Sequence, residues 1–269
     1  MHEFDLKKIP EASEARRDAG RTLSVKGNRL LLALGVLTLL PSVMLYILLE
    51  STIACVVSVG EPIATDHTAF LWGNGLYYLA ALLLTLFFVM PLWMGLLALA
   101  SKVEAGESAV LADVLDSFTS LRSYRRALRF SWGSLPRLLC ICVVVVLTYQ
   151  FAQNYAGASF LSALGMALLI ALEVVLGFSF CAKDFFAAYL LYRTTLSPRE
   201  ARRQSRKLTR RSRGIAYRYA VDSLPGLLLS VITLGTVLVA DTLPRMLVSY
   251  FTLCHNTNEM IIQSEENRL

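Results

Sequence analysis

The sequence predicts an all-α, polytopic membrane protein, with about six transmembrane helices in three hairpins and amphipathic helices on the cytoplasmic side. Three observations carry that prediction. Hydrophobic residues make up 55% of the 269, and the mean hydropathy is +0.55, whereas a soluble chain holds about 45–50% apolar residues. The surplus is gathered into blocks, several of them near or above the roughly 20 residues that cross hydrocarbon. Finally, of the 26 Lys and Arg residues, all but Arg245 fall in segments on one side of the predicted spans. That bias orients both termini to the cytoplasm.

In chain order, residues 1–29 form a polar cytoplasmic segment with an amphipathic stretch at 12–23 suited to the inner membrane surface. The first apolar block, 30–49, extends toward residue 59 and is predicted to kink at Pro41. Its length, with no small-residue cleavage site ahead of a soluble chain, separates it from a signal peptide. A short acidic loop holding His67 leads to the second block, 70–100, which is long enough to require a tilt or a bend at Pro91. Between 110 and 121, Val110, Leu111, Val114, Leu115, Phe118 and Leu121 recur at helical spacing, with Asp113 and Asp116 opposite. An amphipathic surface helix is predicted there, ending in Arg122, Arg125, Arg126 and Arg129, with Trp132 at the interface.

The third block is 135–149, and the fourth is 160–180, its helix continuing through Lys183 and Asp184 to Tyr192. A fifth span at 223–239, a tight outer turn at 241–244 and a short sixth span at 245–253 complete a membrane domain of residues 30–256. Residues 257–269 are then a polar cytoplasmic tail. Ser134-Leu135-Pro136 echoes Ser223-Leu224-Pro225, through internal duplication or through the shared demands of entering a bilayer.

The most charged stretch is 197–218, with nine Lys and Arg residues against the single acid Glu200. Ser197 as hydroxyl cap, Pro198 at the first helical position and Glu200 as capping-box acid predict a helix start. Cations next to an apolar span normally face anionic headgroups, each attracted by about 1 kcal/mol. Without a base-reading motif they do not point to nucleic acid. Arg202, Arg203, Arg206, Lys207, Arg210, Arg211 and Arg213 are therefore the candidate lipid- or partner-binding residues.

Intramembrane ionisable residues are costly and hence functional candidates, and here they are Glu173, Lys183 and Asp184. Glu173, deep in the fourth block, is either a proton- or cation-binding group or a packing partner of a neighbouring span. Lys183 and Asp184 project about 100° apart on a helix, too divergent to pair with each other. Asp241 and Arg245, four residues apart, are placed to pair across the outer turn. No catalytic set is expected: Ser159 and His255 fall on opposite sides of the predicted bilayer. The three histidines lack metal-ligand spacing, and no phosphate-cradling glycine loop occurs, so no metal or cofactor is expected. The five scattered cysteines read as free thiols.

The chain resembles a bacterial integral-membrane family known as domain of unknown function 975. The resemblance covers most of the chain. It rests on Lys26-Gly27-Asn28, on Asp113 to Phe118 with the arginines that follow, on Ser197-Pro198 with Glu200-Ala201 and Ser205, on Thr233-Leu234-Gly235, and on Pro244 with Tyr250-Phe251. The chain departs from the family at Arg211-Ser212, where a glycine is usual, and at Leu224-Pro225-Gly226, where an aromatic residue is usual. The resemblance implies a multi-helix fold in a bacterial cytoplasmic membrane and lends no activity. Similar membrane regions precede some glycerophosphodiester phosphodiesterases, but no catalytic domain is expected in this chain. Two functions remain. One is a non-enzymatic accessory or scaffold holding anionic lipid, a protein partner or a second copy through its basic helices. The other is a small transporter or export-linked permease with Glu173 and the helices bent at Pro41 and Pro91 along its path.

Overall fold

The computed structural model describes residues 12–25, 27–60, 77, 79–133, 136, 140, 144, 148, 164–170, 172, 182–233 and 236–266. Among the described residues the regular structure is wholly helical, with no strand. Two helical stretches, Asn28–Leu49 and Leu79–Ala105, are long and apolar enough to cross a membrane. The chain divides into two compact units, one of residues 1–12, 132–222 and 254–269, the other of residues 13–131 and 223–253.

In the second unit, α1 (Ala12–Ser24) buries Ala15, Ala19 and Leu23, a stripe at four-residue spacing that turns Arg17 and Arg21 outward. Gly27, at φ 94°, caps the start of α2 (Asn28–Leu37), a backbone conformation that a side chain would strain. The kink expected at Pro41 appears one turn earlier. The ladder stops at Thr38 and Leu39, where Thr38 Oγ1 donates to the Gly35 carbonyl at 2.6 Å, and α3 (Leu40–Gly60) then starts afresh.

The bend expected at Pro91 takes the form of a π-turn, Thr85–Val89, immediately before α4 (Met90–Ala105). Proline lacks the amide that would serve the carbonyl four residues back. That carbonyl, of Phe87, instead accepts the Tyr124 hydroxyl at 2.9 Å. Beyond Pro91, α4 is a protein core element, burying Leu92, Met94, Leu96, Leu99 and Val103 among others. Gly95 lets the backbone at Val114 approach, since a Cβ there would lie 1.8 Å from the Val114 carbonyl oxygen.

The amphipathic helix expected over 110–121 does not form as one piece. A 3-10 turn, Leu111–Leu115, leads into α5 (Asp116–Thr119), and extended Ser120 separates this from α6 (Leu121–Trp132). Asp113 causes the first break. It points inward, taking the Val110 amide at 2.9 Å and the Lys102 ammonium at 2.8 Å, and so holds the turn against α4. Ser120 causes the second by accepting the Ser123 amide at 3.1 Å as a helix cap. Val114 is buried, but Val110, Leu115 and Leu121 remain exposed.

The outer turn expected at 241–244 is also absent. The helix runs through it, from a π-turn at Leu238–Thr242 straight into α10 (Leu243–Glu266), and the chain reverses earlier, after Thr233. The same device operates as at Pro91: Pro244 cannot serve the Ala240 carbonyl, which accepts Arg29 Nε at 3.2 Å instead. Arg29 Nη2 also meets Asp241 Oδ1 at 2.7 Å. Residues on opposite faces of a bilayer about 30 Å thick cannot touch, so assigning Arg29 to the inner side and Asp241 and Arg245 to the outer side is corrected.

In the first unit, the fourth helix does not continue unbroken to Tyr192. It opens into a turn at 184–186 before α7 (Ala187–Arg193). The predicted Ser197 cap is present: the Glu200 carboxylate accepts the Ser197 amide at 3.0 Å and the Ser197 hydroxyl at 2.6 Å, starting α8 (Pro198–Arg211). The basic helix then ends at Ser212 instead of reaching Arg218, because Ser212 leaves the helical region before α9 (Arg213–Ile232) begins. The predicted tail is helical as far as Glu266, with Thr257 and Ile261 buried.

Candidate functional site

The site is built on α8. Ala201, Ser205 and Ser212 lie on one buried stripe of small residues, which seats the helix and throws the longer cations to either side. On one flank Arg199, Arg202, Arg203, Arg206, Lys207 and Arg210, with Gly133, line a cavity of about 440 Å³. No acid lines it. Six cations around one concavity are organised to receive negative charge, above all phosphate or carboxylate oxygens.

Asp184 holds this arrangement from behind. Its carboxylate lies 3.6 Å from Arg206 Nε and 4.0 Å from Arg202 Nε. Arg202 is buried, and its guanidinium lies against Gly133, where a Cβ would come within 1.8 Å of Nη1. The turn that presents Asp184 is stabilised by α8, since the Phe186 amide donates to buried Ser205 Oγ at 3.1 Å. Phe185 adds edge-on contacts to Phe186 and Tyr219.

The structure thus brings five of the seven predicted cations, together with Arg199, to one cavity, with Asp184 beside two of them, and treats them unequally. Arg199, Arg203, Arg206, Lys207 and Arg210 are exposed, Arg206 with Asp184 beside it, while Arg202 is interior. Arg211 ends α8 and Arg213 opens α9, and their side chains lie outside the described residues. Lys183 is in the helical residues just ahead of the turn at Asp184. Glu173 lies outside the described residues, as does Ser159. Sequence reasoning missed Arg199 and Gly133 as lining residues. The small-residue spacing Ala201, Ser205, Ser212 was the available signal for which face of the helix turns inward.

Among the described residues outside the apolar blocks, two carboxylates have shifted pKa values. The Glu200 carboxyl is held below its usual value by hydrogen bonds from the Ser197 hydroxyl and then the Ser197 amide. At Asp113, burial pushes the pKa up, but the Lys102 ammonium and the Val110 amide together outweigh it and leave the group below the ordinary carboxylate range. Elsewhere in the first unit, His255 accepts or donates through Nδ1 to the Tyr189 hydroxyl at 3.2 Å, and its Nε2 faces Glu259 at 3.2 Å. Cys140 and Cys254 are free thiols. Among the described residues no group of three or more His, Cys, Asp or Glu is placed to hold a metal ion. No family model, curated protein or solved structure matches the chain.

Proposed function

We propose that the chain is a multi-pass protein of a bacterial cytoplasmic membrane, with both termini on the cytoplasmic side, that acts as a non-enzymatic accessory by holding anionic lipid headgroups on α8. The observation that carries this reading is the 440 Å³ cavity lined by six cations. Insertion is supported by the two long apolar helices, of which the first window is only 24% buried within the protein. Leu30, Leu40, Met44, Ile47 and Leu48 stand exposed along it, an apolar surface of the kind that marks a membrane or partner contact.

A phosphodiester headgroup suits the site because each guanidinium offers a planar fork of donors to phosphate oxygens. The buried Arg202–Asp184 pair sets the helix, and the five exposed cations do the binding. The test is native mass spectrometry of the detergent-solubilised protein titrated with short-chain phosphatidylglycerol and, separately, phosphatidylcholine. Replacing Arg203, Arg206 and Arg210 together by glutamine is expected to remove about 3 kcal/mol at roughly 1 kcal/mol per cation, or about 150-fold in affinity for the anionic lipid alone. Equal loss for both lipids, or no loss for either, overturns the reading.

A further inference from the structure

The last apolar hairpin is short. It rises along α9 to Ile232, reverses after Thr233, and returns through the π-turn at Leu238–Thr242. Its base is closed at Gly226 and Thr242: Thr242 Oγ1 donates to the Gly226 carbonyl at 3.4 Å, and a Cβ on Gly226 would stand 3.0 Å from Thr242 Cγ2. Three cations gather at that base. Arg16 Nη2 lies 3.2 Å from the same Cβ position, while Arg29 and Arg245 hold Asp241 at 2.7 and 2.8 Å.

Above this cationic base little chain is left. From residue 227 to Thr233 the rising limb has seven residues, about 10 Å at 1.5 Å each, against a hydrocarbon core of about 30 Å. Measured instead from Ser223, where the uncharged run begins, the ten residues to Ile232 give about 15 Å. The segment ahead of Pro91 shows the contrast within the same chain. It has the same π-turn and proline, yet its apolar run starts at Phe70, 21 residues before the proline, while only ten residues separate Thr233 from Pro244.

The tip is nevertheless furnished for oil. Thr233 Oγ1 donates to the Leu229 carbonyl at 3.0 Å and Thr236 Oγ1 to the Thr233 carbonyl at 2.9 Å. Both carbonyls also accept a backbone amide, from Thr233 and Thr236, so these bonds leave neither hydroxyl without an internal partner, as hydrocarbon demands. Leu224 and Leu229 are exposed on the hairpin, and nothing ionisable occurs between Asp222 and Asp241.

We infer that this hairpin is a one-leaflet wedge. It enters the leaflet facing the cations, turns back within it, and takes as its partner the acyl chains of that leaflet, so that the chain crosses the membrane four times and not six. The inference rests on the membrane reading above.

The test uses Thr236→Cys in the otherwise native chain, with a membrane-impermeant charged maleimide applied to right-side-out and to inverted membrane vesicles. Tryptic peptide 219–245 contains no native cysteine, so its modification is read directly by mass spectrometry. A thiol within hydrocarbon stays protonated and unreactive, and labelling from either side is expected to be at least about tenfold below that in denaturing detergent. Leu229→Cys is a second reporter expected to behave alike. Full labelling from right-side-out vesicles means the hairpin crosses, and full labelling from inverted vesicles means it lies outside the hydrocarbon; either result overturns the wedge. Glu61→Cys, in the loop after the first block, separates the two ideas. Reaction from right-side-out vesicles only upholds the membrane reading independently of the hairpin, and reaction from inverted vesicles removes that reading and the wedge with it.

Discussion

Replacing Asp184 by asparagine strikes the charge on which the α8 site is hung. The Arg202 side chain is 8% exposed and that of Asp184 14%, so both charges are largely withdrawn from solvent. Removing one member of a buried pair costs about 3–5 kcal/mol. The separations of 4.0 and 3.6 Å, longer than a tight ion pair, place Asp184→Asn at the lower end, about 3 kcal/mol. For a chain of this size that lowers Tm by about 6–12 °C, measurable by tryptophan fluorescence in detergent. Arg206, whose side chain is 55% exposed, is the control, and Arg206→Gln is expected to cost under about 1 kcal/mol. The double variant Asp184→Asn with Arg202→Met removes both charges and is expected to regain most of the loss. Equal destabilisation by Asp184→Asn and Arg206→Gln, or a double variant no better than Asp184→Asn, would refute the assignment of Asp184 as the counter-charge of a buried arginine.

Three other outcomes follow from the packing. Gly95→Ala drives a Cβ to 1.8 Å from the Val114 carbonyl, a backbone clash expected to cost about 3 kcal/mol in thermal unfolding. Tyr124→Phe deprives the Phe87 carbonyl of its donor and is expected to cost about 1 kcal/mol, with faster amide exchange in the π-turn as the local sign. Asp113 has a folded-state pKa below its ordinary value. Its contribution is therefore complete above the unfolded value of about 3.9 and is lost as pH falls through the depressed one. Hydrogen exchange across 107–119 is expected to quicken below about pH 4 in the native chain, and to be fast and pH-independent over that range in Asp113→Asn once intrinsic exchange is corrected.

Much of the helical character was legible from composition and periodicity, and the Ser197 cap was legible to the atom because its signal is local: Ser, Pro and Glu at fixed offsets act on their own backbone. The helix breaks were not. A proline announces that an amide is missing, but whether the chain kinks, widens into a π-turn or stops depends on who takes the freed carbonyl. For Phe87 and Ala240 the takers are Tyr124 and Arg29, 37 and 211 residues away in the chain. The failure at 110–121 has the same origin. Periodicity placed Asp113 on the wet face, while Lys102, on a different helix, drew it inward. Within α8 nothing in the sequence ranks seven similar cations; Asp184 and Gly133 receive Arg202, which is buried, while Arg199, Arg203, Arg206, Lys207 and Arg210 stay exposed.

The breaks also explain how basic segments and apolar helices are joined. At Pro91 and Pro244 a lone carbonyl is exposed, and at 184–186 a lone amide. Each is taken by a polar side chain: Tyr124 of α6 and Ser205 of α8, both helices rich in arginine, and Arg29 at the start of α2. Inside hydrocarbon such openings would each cost several kcal/mol unless closed from within the same helix. On the proposed insertion, each break therefore falls where its helix leaves the oil, and its partner is a cytoplasmic segment because only such a segment reaches that level. The docking works in both directions, since the broken helix gains a partner and the cationic segment gains a fixed position. This is why Arg29 is aligned to grip Asp241 and why Asp184 is placed to hold the inner edge of a cavity lined by six cations.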